Sequence, residues 1–136
     1  MAKVFHGAIV HSVGLDELEI VENGTLVVDS AGVIVAFEKS KTGTSELDIP
    51  DNAETRHLEP GEFLMPGFVD THNHAPQWPM RGLGQGLHIL EWLDQVTFPV
   101  EARFADASYA RRTYEHTVSD FLRQGITTAS YYGSRK

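Results

Sequence analysis

The segment after Pro60-Gly61 constrains the fold of this chain more than any other. It opens with an apolar run, Phe63-Leu64-Met65-Pro66-Gly67-Phe68-Val69-Asp70, which reads as a buried strand entered through a Pro-Gly turn. Residues 82–86 are loop-like, and residues 87–96 have helical spacing that lets Leu87, Leu90 and Leu93 share a face. A second helix is predicted over residues 106–124. Ala110, Tyr114, Thr117 and Phe121 form its apolar stripe with Val118 and Leu122 beside them, Asp106 is its N-cap, and Gly125 stands at C′. Residues 126–132 are β-branched and aromatic, and read as a further strand. The order strand, loop, helix, helix, strand is the opening of an α/β array with parallel strands. A complete eight-fold β/α barrel takes roughly 250 residues. With 136 residues, and only Gly133-Ser134-Arg135-Lys136 after the last strand, the array is expected to be interrupted.

Residues 4–60 follow a different pattern, that of short strands and turns. Residues 4–11 alternate loosely, and residues 18–21 lead into Glu22-Asn23-Gly24, which reads as a hairpin turn. Leu26-Val27-Val28, the turn Asp29-Ser30-Ala31-Gly32 and residues 33–37 continue the meander. Residues 39–52 are polar and rich in Ser, Thr and Gly, as a surface loop would be, and residues 55–58 return to the sheet. The expected domains are therefore a β segment over residues 1–62 and an α/β segment over residues 63–136.

Composition narrows the function. Nineteen acidic against eleven basic residues give a formal charge of −8, which repels phosphate backbones and argues against nucleic-acid binding. No apolar run approaches the roughly 20 residues of a membrane span, and the opening Met-Ala-Lys-Val-Phe-His-Gly is not a signal peptide. A cytoplasmic protein is the expectation. The chain has no cysteine, so thiol nucleophiles and cysteine-ligated metals are excluded within it.

Chemistry concentrates at Asp70-Thr71-His72-Asn73-His74, directly after the apolar run. Side chains at i and i+2 of a strand point to one face, so His72 and His74 can present two neutral imidazoles to one cation. The C-terminal end of a parallel strand is where α/β folds place their sites. Two other features need weighing. His88-Ile89-Leu90-Glu91 has the spacing of a His-x-x-Glu motif but falls in the loop and first helix, and is read as chance. His6, His11, His57 and His116 are read as structural or exposed.

The stretch Leu64-Met65-Pro66-Gly67-Phe68-Val69-Asp70-Thr71-His72-Asn73-His74 resembles the first barrel strand of the amidohydrolase superfamily. Ala75-Pro76-Gln77 and Arg81-Gly82-Leu83 are similar to its deaminase and chlorohydrolase branch. Leu90-Glu91-Trp92-Leu93, with Thr97-Phe98-Pro99-Val100-Glu101-Ala102-Arg103-Phe104, resembles the guanine deaminases within that branch, as does Gln77. Gly125-Ile126-Thr127-Thr128-Ala129 is similar to the second barrel strand.

The resemblance implies the N-terminal part of an amidohydrolase, α/β in class: a small β-sandwich segment, then the first βα units of an incomplete TIM-like barrel. It implies zinc-dependent hydrolysis of guanine to xanthine and ammonia, the Zn2+ acting as a Lewis acid that lowers the pKa of its bound water. His72 and His74 would be ligands, and Gln77 a purine contact or a loop hydrogen bond. Trp92 would be core or a stacking platform, and Arg81 a loop or substrate contact or a solvated cation. A small purine is the implied partner, and a homodimer the implied assembly of full-length members. The family's further histidines, aspartate and proton-transferring glutamate come from later strands, so this chain is expected to be inactive alone. Two rival readings remain. One is a deaminase of another aminopurine, a pterin, cytosine or a triazine. The other is a non-catalytic truncated product that partners a full-length copy.

Overall fold

The computed structural model describes residues 1–40, 45, 47 and 49–134. The chain divides into two compact units, Met1–Pro66 and Gly67–Lys136.

The first unit is a five-stranded sheet in the order β3-β2-β1-β4, with β5 also on β1. Its strands are β1 (Lys3–Ser12), β2 (Leu18–Val28), β3 (Ile34–Lys39), β4 (Glu54–His57) and β5 (Phe63–Leu64). β1 is central. It pairs antiparallel with β2 along its length, and parallel with β4 through Lys3 to His6 and with β5 through Ala8 and Ile9. The cross-strand pairs Val4↔Val27 and Ile9↔Val21 are buried, and Val4 is 0% exposed. Among the described residues this unit forms a single sheet.

One turn expectation is overturned. Glu22-Asn23-Gly24 is not a hairpin, because β2 runs straight through it. Gly7 pairs with Gly24 and Ile9 with Val21, so β2 carries one extra residue there, a β-bulge. Gly24 serves close packing rather than a turn: a Cβ there would lie 2.7 Å from Ile9 Cδ1, which would have to shift. The hairpin between β1 and β2 is made instead by residues 13–17, closed by Val13 N–H donating to Glu17 O. The turn at Asp29 is as expected. Its carboxylate accepts from the amides of Ala31 and Val33, and Gly32 has φ +86°. Of the expected loop over residues 39–52, Lys39 belongs to β3, and residues 41–44, 46 and 48 lie outside the described residues.

The second unit holds two parallel strands, β6 (Phe68–His74) and β7 (Ile126–Tyr132), joined through helices. A 3₁₀ helix, Ala75–Met80, follows β6 directly. Then come α1 (Ile89–Trp92), a π-helical turn (Leu93–Thr97), α2 (Phe98–Ala102), a 3₁₀ turn (Arg103–Ala105) and α3 (Ala107–Arg123). The predicted run Phe63–Asp70 is thus broken: Phe63-Leu64 joins the first sheet and Phe68 starts the second. Pro66-Gly67 explains the break, since proline has no amide hydrogen for a ladder. Nor is the run buried, with Phe68 56% and Val69 64% exposed.

α3 begins and ends where its caps dictate. Asp106 accepts from the amides of Ser108 and Tyr109, and Gly125 follows the C-terminus with φ +84°. Thr113 and Thr117 are its buried positions, Thr117 Oγ1 donating to the Thr113 carbonyl at 2.8 Å. Val118 and Leu122, counted with the stripe, are exposed because they lie about 100° round the helix from Thr117 and Phe121. Leu90 is likewise 71% exposed, and Leu87, Trp92 and Val96 gather at Gly84 instead.

Candidate functional site

β6 delivers its two histidines side by side. His72 Nε2 lies 3.1 Å from His74 Nε2, and the ring centroids are 5.2 Å apart. Two ligands of a tetrahedral zinc, each at about 2.05 Å, stand about 3.3 Å apart, so the pair fits one cation with almost no movement. Asp70 sets up this geometry rather than joining it. Its carboxylate accepts the His72 backbone N–H at 3.1 Å and the Asn73 side-chain amide at 2.9 Å. The β6–β7 register gains a residue on β6 between Asp70 and Asn73, a bulge beside the first histidine. Asp70 therefore satisfies the His72 amide where the ladder is interrupted. Among the described residues no group of three or more His, Asp or Glu converges on a point.

An aromatic wall completes this end of the strand pair. Tyr132 is the register partner of His74 and stacks on its ring, with centroids 5.0 Å apart and planes 15° apart. It also lies 5.1 Å from the His72 ring. The sequence reading missed Tyr132. Its signal was the parallel order itself, which brings the end of β7 to the end of β6.

The loop after His74 is anchored from beneath. Ala75, Pro76 and Met80 are buried, so the 3₁₀ helix is held by its apolar face. Gln77 stands on it, half-buried, with its side-chain nitrogen donating to Glu101 Oε1 at 3.2 Å. Arg81 does not reach toward the histidines. Its guanidinium stacks over Trp78 at 4.5 Å and donates to Asp120 Oδ2 at 2.6 Å. The same carboxylate accepts from Trp78 Nε1 and Gln124 Nε2, both at 3.0 Å. These bonds, the Trp78 indole first and the Arg81 guanidinium second, hold the Asp120 carboxyl below the usual carboxylate range. Asp120 thus staples the loop to α3, a role the sequence did not disclose. Trp92 is also tied down: its indole donates to the Leu83 carbonyl at 3.1 Å and its ring packs over Gly84.

The second unit's other histidines, His88 and His116, have different partners. His88 caps α1, where Glu91 accepts its backbone amide, so that His-x-x-Glu spacing is a helix-start feature. His116 is exposed and stacks against Trp78 at 6.4 Å.

A model of the amidohydrolase family matches residues 63–136, more than half of the chain. The chain belongs to the amidohydrolase family. Guanine deaminase of Mus musculus is 40% identical over 138 residues, covering 98% of this chain and 30% of that protein. Guanine deaminase of Dictyostelium discoideum is 36% identical over 142 residues, covering 97% of this chain and 32% of that protein. Among solved structures, E. coli guanine deaminase superimposes with a TM-score of 0.79 at 32% identity, over 98% of this chain and 30% of that one. A guanine deaminase from C. acetobutylicum with guanine bound in its active site superimposes at 0.74 and 27% identity, over 98% of this chain and 30% of that one. This amidohydrolase chain thus spans about a third of the length of the relatives it matches. No helix among its described residues is long and apolar enough to cross a membrane.

Proposed function

We propose that this chain is the N-terminal part of a zinc-dependent guanine deaminase, supplying the first two metal ligands and one purine contact of the site. The observation that carries this reading is the His72–His74 pair at 3.1 Å, at the C-terminal end of a parallel strand, with Gln77 three residues further on. β6 and β7 are read as the first two strands of a TIM-like barrel, residues 63–136 as its beginning, and residues 1–62 as the β segment before it. The similarity to guanine deaminases over nearly the whole chain supports the substrate class. A cytoplasmic homodimer is the state this reading expects of the whole enzyme.

Bound zinc would supply Lewis acidity and lower the pKa of a coordinated water. The residues on this chain do the rest of their share by position. His72 and His74 offer imidazole nitrogens, with Asp70 holding the His72 backbone amide and Tyr132 stacked on the His74 ring. Gln77 offers an amide to the edge of a heterocycle, and Trp78, Arg81 and Asp120 fix the loop that carries it. Two imidazoles are half of a four-coordinate site, so a complete site needs ligands beyond these.

The test is titration of residues 1–136 with zinc, followed by ammonia release from guanine when the chain is combined with the C-terminal 70% of the E. coli relative. Weak, substoichiometric zinc binding that disappears in His72→Ala and His74→Ala is expected. So is zinc-dependent turnover only in the combined sample. Gln77→Ala should lower guanine kcat/KM by about 10- to 100-fold, the cost of about 1–3 kcal/mol for unpaired buried polar groups, with metal content unchanged. One tightly held zinc in the isolated chain, or loss of metal in Gln77→Ala, would overturn this division of roles.

A further inference from the structure

Gln77 is bonded in a way that fixes which half of its amide is free. A side-chain amide has a donor end and an acceptor end of nearly equal shape, and a neutral partner could engage either. Glu101 is not such a partner. An ionised carboxylate only accepts, so the 3.2 Å contact to Glu101 Oε1 turns the amide nitrogen toward α2 and the carbonyl oxygen away from it. Gln77 Oε1 has no hydrogen-bond partner among the described residues. The carboxylate also polarises the amide it holds, which strengthens the oxygen as an acceptor.

We propose that Glu101 is a positioning residue that makes Gln77 an acceptor, so that this site selects ligands presenting an N–H donor, from a ring nitrogen or an exocyclic amino group. This rests on the reading of Gln77 as a ligand contact and adds the polarity of that contact. Guanine carries such donors. A heterocycle of the same outline with a bare ring nitrogen at that edge would set acceptor against acceptor and leave both unpaired, which a buried site penalises more than a missing methylene.

Asp120 holds the same loop through different side chains, Trp78 and Arg81, and this gives the experiment its control. In the 15N-labelled chain of residues 1–136, the Gln77 side-chain amide is assigned by its disappearance in Gln77→Leu. One of its two protons is expected well downfield of the other, as for a donor to a carboxylate. Glu101→Ala should return both to the position of a solvent-exposed glutamine. Glu101→Gln keeps the shape but can donate as well as accept, so the single downfield proton should be lost there too. The Trp78 indole N–H, held by Asp120, should stay in place in both variants and so reports that the loop remains folded. Glu101→Asp, with a carboxylate on a shorter stem, should recover part of the downfield shift. The proposal is overturned if the Gln77 amide is already solvent-like in the parent chain, or unchanged in Glu101→Ala and Glu101→Gln. This readout needs neither metal nor guanine. Its failure strikes the Glu101 arrangement alone, whereas failure of the zinc and turnover experiment strikes the reading of the site.

Discussion

β1 and β6 both carry apolar residues near the start of their units, yet these end in opposite environments. β1 has β2 on one edge and β4 and β5 on the other, and Val4 and Ile9 are buried. β6 has only β7 among the described residues, and Phe68 and Val69 stay largely exposed. The difference teaches that an apolar run does not bury itself. Burial needs strands on both edges or a layer on the face, and in this unit buried side chains appear only past the end of β6, at Ala75, Pro76 and Met80 of the 3₁₀ helix that follows it, and farther on. The histidines themselves are exposed, and the segment that follows them directly is anchored by Ala75, Pro76 and Met80.

The largest expected effect sharpens this contrast. Met80 is 1% exposed beneath the Gln77 loop, so Met80→Ala should cost about 2–5 kcal/mol, read as lost hydrogen-exchange protection of the α3 amides. Phe68→Ala, on the exposed end of the same unit, should cost far less. Equal losses would break the comparison.

Gly67 gives the next test. A Cβ there would meet Thr127 Cβ at 2.7 Å and its two terminal atoms more closely still, and a β-branched side chain has little room to retreat. Gly67→Ala should cost about 1–3 kcal/mol by overpacking the β6–β7 pair, measured by urea unfolding. Gly24→Ala, where the nearest atom is the flexible end of Ile9, should cost less.

Acid should separate the two units. Burial, then the stacked His57 ring 4.9 Å away, lowers the His6 pKa from 6.5 in the folded sheet. The unfolded chain therefore takes up this proton first. The contribution of His6 is complete above about 6.5 and is lost as pH falls through that value toward the lower folded pKa. Amide protection in β1 and β4 should weaken between pH 7.5 and 5.5. In the second unit, the hydrogen bonds from Ser108 lower the Asp106 carboxyl, and those from Trp78 and Arg81 lower Asp120. Those contributions are present above the ordinary carboxylate range and decline as pH falls through the still lower folded values, so α3 should hold its protection at pH 5.5.

The smallest effect is the one of opposite sign. Thr97 is 1% exposed and its hydroxyl has no hydrogen-bond partner among the described residues. Thr97→Val keeps the shape and removes a buried unsatisfied group, so it should be neutral or stabilise by up to about 1 kcal/mol in thermal unfolding. A loss of several kcal/mol would show that the hydroxyl has a partner after all.

Much of this was local and therefore legible in the residues. Asp106 and Gly125 bracket α3 because capping depends on a few neighbouring amides. The His72–His74 pair shares a face because a strand alternates. What failed were features that depend on the opposite strand. Glu22-Asn23-Gly24 looks like a turn until Gly7 is seen across from Gly24, and Phe63–Asp70 looks like one strand until β1 claims its first two residues.

The sequence by itself determined α3 and its caps, β7, and the histidine pair at the end of an apolar run, because each depends on contacts within a few residues. Only the tertiary structure decided what surrounds that pair. Tyr132 reaches His74 across 58 positions of sequence through the parallel β6–β7 register. Glu101 meets Gln77 from 24 residues away, and Asp120 meets Arg81 from 39. Such contacts follow from how helices return to a sheet, and no local periodicity encodes which carboxylate will arrive beside which amide.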